Sequence, residues 1–414
     1  MMKRNTLSLV ELSDEILEQM KASGFSETTR GIYKTIFHKL SRIAAERGDE
    51  RYSKELGKAF VQDDSHIIPE NSERYFRERT GLYRRCIQFI ESFLETGKVD
   101  FSPASRRASF EILSADLCEC FSRFLLEMEE RKLKANTKEG YRRFTYYFIQ
   151  YLENKGYNAL EDIREGDVVS FISVICTTRY QPTSLGAHLP GLKIFLGMYA
   201  CTKRFLVETP EHLPKKRDIL KIYSDEEYRK ISEYLNNAKE LSYRNKAIAL
   251  IALSTGLRAV DICSLKLNDI DWLHNYIRIV QQKTDHPHII PLTNETGNAV
   301  VDYLLEERPA VDSPFVFLRS IAPFQPLACH SSIRKVLFDI INDSDIHADG
   351  RIYGTRITRH SSASRLLRNG TPLPVISDLL GHKDKESVMI YITTDDRKMA
   401  ECTLPLPKGG AYHG

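Results

Sequence analysis

Apolar residues recur at the spacing of an amphipathic helix through most of this chain, and two breaks interrupt the pattern. The first break contains Gly97 and Pro103, and the second contains Pro210 and Pro214. Glycine and proline disfavour regular helix, so they mark linkers between helical blocks. The pattern predicts blocks at residues 1–97, 113–204 and 223–414, joined by linkers at 98–112 and 205–222. A chain of 414 residues is long enough for two or three domains.

The first two blocks resemble each other at one constant offset along the chain. Three identities and one apolar match share this offset: Thr29 with Thr137, Tyr33 with Tyr141, Gly48 with Gly156, and Ile36 with Phe144. Self-similarity of this kind usually marks a repeated structural unit. The repeat predicts that the two blocks are related helical modules.

One stretch of the third block alternates apolar and polar residues, which predicts a strand. This stretch is Tyr276–Val280, and His288–Pro291 is its candidate partner. The polar turn between them predicts a hairpin with Lys283 at its tip. Helical patterns then resume at residues 295–306, 331–342, 358–368, 374–380 and 395–402. The predicted fold class is therefore mainly α, with a small antiparallel β-sheet in the third block.

Basic and phenolic residues follow one another through the third block in short motifs. The motifs are TGLR ending at Arg258, QKT around Lys283, RHS beginning at Arg359 and LGH ending at His382, with Tyr391 nine residues later. Each motif alone has an ordinary structural interpretation, such as a helix start, a solvated turn or a capping histidine. Taken together, the set suits chemistry on an anionic substrate.

The chemistry that fits this set is attack by tyrosine on a phosphodiester. Arginine pairs two phosphate oxygens with its planar fork, and preorganised charge is usually the largest catalytic contribution. An unperturbed tyrosine has a pKa near 10, and nearby cations favour its phenolate. A lysine on a mobile turn can protonate the leaving oxygen. The chain lacks a carboxylate cluster in these motifs, which argues against a metal-dependent nuclease.

In this order and spacing, the motifs resemble those of the tyrosine recombinases, the family that includes phage and mobile-element integrases. The resemblance covers the C-terminal half closely and the middle block, as a core-binding domain, more loosely. It implies a multi-domain DNA clamp with catalytic residues at Arg258, Lys283, Arg356, Arg359, His382 and Tyr391. Tyr391 is the implied nucleophile, and Lys283 is the implied acid for the leaving 5′ hydroxyl. Asp261 matches an acidic residue that buttresses the turn before it.

The resemblance also implies a reaction and its partners. The reaction is site-specific DNA recombination through a 3′-phosphotyrosyl intermediate, with no metal or nucleotide cofactor. The partners are double-stranded DNA with specific recombination sites and a homo-tetramer on two duplexes, with accessory or co-encoded recombinases as further candidates. The segments Thr371–Pro374 and Leu404–Pro407 resemble integrases of mobile elements, so integration and excision is the favoured setting.

One position departs from the family pattern. The family usually has a histidine three residues before its second arginine, and here that position is Arg356. Arginine contacts phosphate but cannot act as a base near neutral pH. Three alternatives follow from this substitution. The reaction does not need the base, or His360 or a water molecule acts as the base, or the activity is reduced. Retained activity is favoured because the other catalytic positions are filled.

Composition sets wider limits. Hydrophobic residues at 42% and charged residues at 28% are typical of a soluble protein, and a net charge of +3 permits DNA binding without requiring it. Eight cysteines are scattered without zinc-site spacing, and Cys86, Cys176 and Cys263 lie in apolar helical patterns. They predict reduced thiols and no metal site. Without a signal core or membrane-length apolar run, the sequence predicts a cytoplasmic, nucleoid-associated protein with no membrane contact.

Several interpretations stay open. Basic linker residues are candidates for phosphate contact, although solvated linkers explain them nearly as well: Arg106, Arg107, Lys203, Arg204, Lys215, Lys216 and Arg217. Residues 1–97 form either a DNA-binding or contact module or an ordinary helical domain. The alternatives to an active recombinase are a catalytically impaired DNA-binding accessory of the same fold and a type IB topoisomerase-like enzyme.

Overall fold

The computed structural model describes residues 7–62, 72–102, 112–214, 222–283, 285–327, 330–347 and 354–381. These residues divide into two compact units, which are Ser105–Asp218 and Met1–Ala104 together with Ile219–Gly414. Helices dominate both units, and one three-stranded antiparallel sheet lies in the second of them. The predicted fold class is confirmed.

Four helices build the N-terminal module, in the order α1 (Leu9–Ala22), α2 (Glu27–Arg47), α3 (Lys54–Gln62) and α4 (Ser72–Thr96). Helix α1 begins with a capping box, in which Ser8 Oγ accepts from the Glu11 backbone and the Glu11 carboxylate accepts from the Ser8 backbone. Ser26 caps α2 in the same position. The buried faces of these helices share one apolar core that includes Ile16, Met20 and Phe89.

The unit Ser105–Asp218 contains α5 (Ala115–Glu130), α6 (Ala135–Asn154), α7 (Asp167–Thr178), α8 (Leu189–Gly197) and α9 (Ala200–Lys203), with short 3-10 turns between them. Aromatic side chains fill its core. Phe144 and Phe148 both pack edge-on against Phe171, and Phe124 packs edge-on against Phe195. The core extends to Phe205, beyond the end of α9.

The internal repeat is visible in the backbone of both units. Helix α2 begins at Glu27 and α6 begins at Ala135, which is the same offset as the sequence match. After each helix, a glycine adopts the left-handed conformation, with φ of 75° at Gly48 and 81° at Gly156. The backbone bond that closes the helix also recurs, from Asp49 N to Ala44 O at 2.8 Å and, at the same offset, from residue 157 to residue 152 at 3.1 Å. The sequence match therefore extends to the local structure of α2 and α6, and the relation between the whole modules stays a prediction.

The third predicted domain, residues 223–414, has seven described helices, a small sheet, one large apolar core and a smaller apolar cluster between α15 and α16. The helices are α10 (Asp225–Asn237), α11 (Tyr243–Thr255), α12 (Ala259–Cys263), α13 (Asn294–Asp302), α14 (His330–Asp343), α15 (Thr355–Arg368) and α16 (Leu373–Leu380). A π-helical turn, Tyr303–Glu307, continues α13. The predicted helices overlap α13 to α16, and the predicted helix at 395–402 lies outside the described residues.

The sheet has the order β1-β2-β3 and consists of β1 (Ile270–Asp271), β2 (Tyr276–Val280) and β3 (Pro287–Pro291). Val280 pairs with Pro287, so β2 and β3 form the predicted antiparallel hairpin. Strand β1 was not predicted, because two residues are too few to show a period. Ile277 and Ile279 point into the core while the residues between them face outward.

The structure bears on the predictions about cysteines and about membrane-spanning segments. Within the described ranges, Cys86 and Cys263 are buried thiols outside any disulfide, and burial raises the pKa of Cys86 far above its ordinary value. Cys176 is a partly exposed free thiol whose pKa is also raised by burial. No described helix is long and apolar enough to cross a membrane.

Candidate active site

Arg258 is held at a tight turn between two helices. Helix α11 ends at Gly256 in the left-handed conformation, and Thr255 Oγ1 accepts a hydrogen bond of 3.1 Å from the Leu257 backbone. Arg258 is then the N-cap residue of α12. Its side chain is about one-fifth exposed, at 21%. The turn therefore projects a half-buried guanidinium from a rigid backbone.

Gly256 is required at this turn for two reasons. Its φ of +62° strongly disfavours residues with a side chain. A Cβ at this position would also lie 2.9 Å from Leu380 Cδ2 and 3.5 Å from Arg359 Cα. The backbone of the turn thus packs directly against α15 and the end of α16.

Arg359 is buried on α15 and donates to two backbone carbonyls. Its Nη1 donates to Gly256 O at 3.1 Å, and its Nη2 donates to Leu380 O. Both acceptors are neutral, so these two bonds orient the guanidinium without cancelling its charge. The second arginine is thereby linked to the turn that carries Arg258.

Gln281 completes this arrangement, and the sequence analysis missed it. Its Oε1 accepts from Arg258 Nη1 at 2.8 Å, and its Nε2 donates to Leu380 O at 3.2 Å. The side chain is fully buried directly after β2. The sequence carries a signal for this role, because Gln281 is a polar residue two positions after Ile279, on the face of the strand that points inward. A buried polar side chain needs hydrogen-bond partners.

His288 holds the same helix end from the neighbouring strand. Its Nε2 lies 3.0 Å from Leu379 O, and the side chain is buried. Burial lowers the pKa of His288 most, and the charges of Arg359 and Arg258 lower it further. The neutral imidazole then donates to the carbonyl from Nε2. The last carbonyls of α16 are therefore bound by side chains from β3, α15 and the end of β2.

Asp261 ties the turn to the hairpin. Its buried carboxylate accepts from the Gln282 backbone at 2.8 Å, and its second oxygen lies 4.0 Å from Arg258 Nη1. Lys283 follows at the tip of the hairpin and is exposed. Asp285 N donates to Gln281 O at 2.9 Å across that tip. Lys283 is therefore two residues from Gln281, which accepts a hydrogen bond from Arg258.

Arg356 lies one helical turn before Arg359 on α15, so the two share a face. Arg356 is exposed, whereas His360 is buried. Burial first, and then the charges of Arg356 and Arg359, lower the pKa of His360 to about 4. His360 is therefore neutral and a weak base at pH 7, which argues against its covering the role of the missing histidine.

The predicted site residues fall into three groups. The structure brings together Arg258 and Arg359 through Gln281 and the Leu380 carbonyl. Lys283 is exposed on the hairpin that carries Gln281, and Arg356 is exposed on α15, the helix that carries Arg359. Lys203 and Arg204 are exposed, and the Arg204 guanidinium lies 4.7 Å from the Phe205 ring centre. The remaining predicted residues lie outside the described part of the chain: Arg106, Arg107, Lys215, Lys216, Arg217, His382 and Tyr391.

The described residues contain no group of three or more His, Cys, Asp and Glu side chains placed to hold a metal ion. What they do contain is a pair of guanidiniums held by hydrogen bonds to the Gln281 amide and to two backbone carbonyls. Such a pair can bind an anion, because arginine stays protonated and its orientation is already set.

Comparison with known proteins identifies the family of this chain. The profile of the phage integrase family matches residues 221–398, a span that includes all the predicted catalytic positions. A putative integrase/recombinase of Sinorhizobium fredii, y4gC, is 33% identical over 165 residues, which cover 40% of this chain and 83% of that protein. The chain belongs to the phage integrase family. It is by this membership a tyrosine-type site-specific recombinase.

Two further comparisons extend the likeness beyond the third domain. The tyrosine recombinase XerD of Listeria monocytogenes is 29% identical to this recombinase over 288 residues, covering 67% of this chain and 93% of XerD. The crystal structure of XerH recombinase bound to a palindromic difH substrate matches with a TM-score of 0.55 at 20% identity, covering 69% of this chain and 86% of that one. The second match shows a shared fold.

Proposed function

We propose that this recombinase breaks and rejoins double-stranded DNA at specific sites through a 3′-phosphotyrosyl intermediate, with Tyr391 as the nucleophile. The observation that carries the proposal is the joint fixation of two arginines from distant elements. Arg258 and Arg359 are both linked to the Leu380 carbonyl, directly or through Gln281. That carbonyl belongs to the segment that leads into His382.

In the cleavage step, Tyr391 Oη attacks the phosphorus and the bond from phosphorus to the 5′ oxygen breaks. Lys283 gives a proton to the leaving 5′ oxygen, while the tyrosine proton passes to solvent or to a neighbouring group. Arg258 and Arg359 neutralise the phosphate and the charge that develops on it, with Arg356 and His382 assisting. The electron pair of the broken bond stays with the 5′ oxygen.

In the joining step, the 5′ hydroxyl of a partner strand attacks the phosphotyrosine. The bond between phosphorus and Tyr391 Oη breaks, and the phenol regains a proton. Each step replaces one phosphodiester with another, so no external energy source is needed. None of these roles requires a metal ion or a nucleotide.

We propose that the enzyme acts as a homo-tetramer on two duplexes, with accessory or co-encoded recombinases as candidate partners, and that it integrates and excises a mobile element. Support for the DNA partner comes from the family and from the XerH crystal structure, in which that recombinase is bound to its difH substrate. The name integrase/recombinase of y4gC supports the mobile-element setting. The exposed Arg356 favours one second candidate, a catalytically impaired DNA-binding accessory.

The test uses nicked suicide duplexes taken from both flanks of the gene that encodes this protein, in EDTA. Wild type, Tyr391→Phe and the control Tyr243→Phe, which alters an exposed tyrosine elsewhere in the domain, are compared on a denaturing gel. We expect a covalent adduct with wild type and the control, and none with Tyr391→Phe. DNA binding without an adduct would favour the accessory. Relaxation of a supercoiled plasmid that lacks the site would favour a topoisomerase.

A further inference from the structure

Helices α1 and α2 of the N-terminal module match α5 and α6 of the unit Ser105–Asp218 at one constant offset, and we call each helix pair a copy. Residues at the constant offset are buried in both copies, as the following pairs show: Leu9 with Leu117, Ile16 with Phe124, Met20 with Met128, Leu40 with Phe148, and Ala44 with Leu152. With the matching helix starts and closing bonds, these pairs place α2 in the same position within its module as α6 has in the other.

Two basic residues outside the apolar core of α2 also have basic counterparts in α6. Arg30 corresponds to Lys138, and Lys34 corresponds to Arg142. Lys34 is exposed and Arg30 is half-buried, whereas the side chains of Lys138 and Arg142 are only 20% and 22% exposed. The basic pair therefore recurs in both copies and is more open to solvent at Lys34 of the first, where it can meet an anionic partner.

The two copies differ in the acids around this pair. In the second copy, Lys138 Nζ lies 2.7 Å from a carboxylate oxygen of Glu129, and Arg142 Nε lies 3.2 Å from one of Glu139. At the same offset, the first copy has Lys21 in place of Glu129 and Gly31 in place of Glu139. A third basic residue and a glycine thus replace the two neutralising carboxylates.

The basic residues of the first copy keep their charge, with Lys34 exposed and Arg30 half-buried. Arg30 Nε donates to the Phe25 carbonyl at 3.3 Å, and neither Arg30 nor Lys34 forms an ion pair with another described residue, the nearby Glu27 of the first turn included. Both α2 and α6 carry partial positive charge at this end, and Glu27 in the first turn of α2 offsets part of it there, so the difference between the copies lies in the two missing carboxylates. Of the two copies, the N-terminal one therefore has the stronger local attraction for an anion.

We propose that Arg30 and Lys34, which we call the α2 basic face, bind the phosphate backbone of duplex DNA, with Lys21 at the end of α1 as a further candidate contact. This proposal rests on the proposed function, since duplex DNA is the substrate assigned there. It gives the recombinase a DNA contact in residues 7–62, in addition to those of its other domains. Phosphate contacts of this kind add affinity and salt dependence and carry no sequence information.

The experiment measures binding of the full chain to a duplex that contains the recombination site and extended flanks, over a range of salt concentrations. The test variant is Arg30→Glu/Lys34→Glu. The matched control is Lys54→Glu/Lys58→Glu, the same charge change at exposed positions of α3. The conservative variant Arg30→Lys/Lys34→Arg keeps the charge, and circular dichroism melting checks that each variant is folded.

We expect the test variant to lose roughly tenfold or more in affinity and to have a log–log salt slope shallower by roughly 1.8, about 0.9 for each phosphate contact. The α3 control and the conservative variant should match wild type. An unchanged slope in the test variant, or an equal change in the α3 control, would overturn the proposal. So would a wild-type chain that does not bind the duplex.

The adduct assay on the same duplexes separates this proposal from the proposed function. An adduct from wild type with an unchanged slope in the test variant refutes the α2 basic face and leaves the recombinase reaction in place. A shallower slope without any adduct supports the α2 basic face and refutes the reaction. If the test variant fails to form the multimers that wild type forms, but keeps the wild-type salt slope, the α2 basic face contacts protein and the proposal is refuted.

Discussion

Arg258 Nη1 donates to Gln281 Oε1 at 2.8 Å, and this bond joins the first arginine of the site to a residue that no motif singled out. The other end of the same amide donates to Leu380 O, which also accepts from Arg359. One buried amide therefore couples the positions of two guanidiniums. A group that orients catalytic residues without touching substrate is a positioning residue, and its loss should alter rate more than binding.

Gln281→Ala should slow single-turnover strand cleavage by roughly 10-fold to 100-fold, because small displacements of a phosphate-binding arginine have costs of that order. Gln281→Glu keeps an acceptor for Arg258 but loses the donor to Leu380, so it should also be slow. Adduct formation with suicide duplexes measures the rate, and gel shifts measure DNA affinity, which should stay near wild type. Gln282→Ala, an exposed neighbour whose backbone bond to Asp261 persists, is the control. Equal rates for Gln281→Ala and this control would contradict the assignment.

Gly256→Ala should destabilise the third domain more than Gly370→Ala. Both glycines have positive φ, at +62° and +81°, and alanine in that conformation costs about 1–2 kcal/mol. Only at Gly256 does a new Cβ meet other atoms, at 2.9 Å from Leu380 Cδ2, whereas nothing lies within 4 Å of one at Gly370. Urea unfolding followed by fluorescence of Trp272, the single tryptophan, measures the difference. If both variants lose the same free energy of unfolding, the contact of the new Cβ with Leu380 adds nothing to the cost of the strained backbone.

The stability of the third domain should fall with acidification between pH 6.5 and pH 4, in part because of His360. Burial holds its pKa at about 4 in the folded state, below the ordinary 6.5. Between these values the unfolded chain binds more protons than the folded one, so stability is complete above pH 6.5 and is lost as the pH falls. The full effect is roughly 3 kcal/mol.

His360→Gln should flatten this dependence in urea unfolding at pH 5 and pH 7, again followed by Trp272. His330→Gln, which alters an exposed histidine at the start of α14, serves as the comparison and should keep the wild-type slope. If the pH dependence of His360→Gln equals that of wild type, His360 is not responsible for it.

Arg356→His should add an ionisation to the pH profile of strand cleavage. The guanidinium of Arg356 stays protonated throughout the working range, whereas an exposed imidazole exchanges protons near pH 6.5. We expect the variant to cleave roughly tenfold faster than wild type at pH 8, as general base catalysis becomes available. Arg356→Gln, which supplies no ionisable group, should lack the new inflection. A slower Arg356→His enzyme with an unchanged profile would show that arginine is the better residue here.

The β2–β3 hairpin illustrates what neighbouring residues determine. The predicted strand Tyr276–Val280 matches β2, and its partner begins one residue earlier than predicted, at Pro287. Alternation along a strand reflects which face each side chain occupies, so a few consecutive residues are enough to reveal it. The helices and the repeat of α2 and α6 were predictable for the same reason, because their periods are local.

The role of Gln281 was not predictable in this way. Its register indicated an inward side chain, but its partners are Arg258, earlier in the chain, and Leu380, which lies 99 residues later. Likewise, the order of motifs identified Arg359, while its bonds to Gly256 and Leu380 required the packing of α15 against the α11 turn.

By itself, the sequence determined the helical blocks, the hairpin and the order of the motifs that give the family, because each depends on residues close together in the chain. Only the tertiary structure decided that Gln281 and Arg359 both donate to the carbonyl at the end of α16 while Arg258 donates to Gln281, and that His360 is buried and neutral. Those properties depend on burial and on hydrogen bonds between distant segments, and no local pattern encodes which segments will meet.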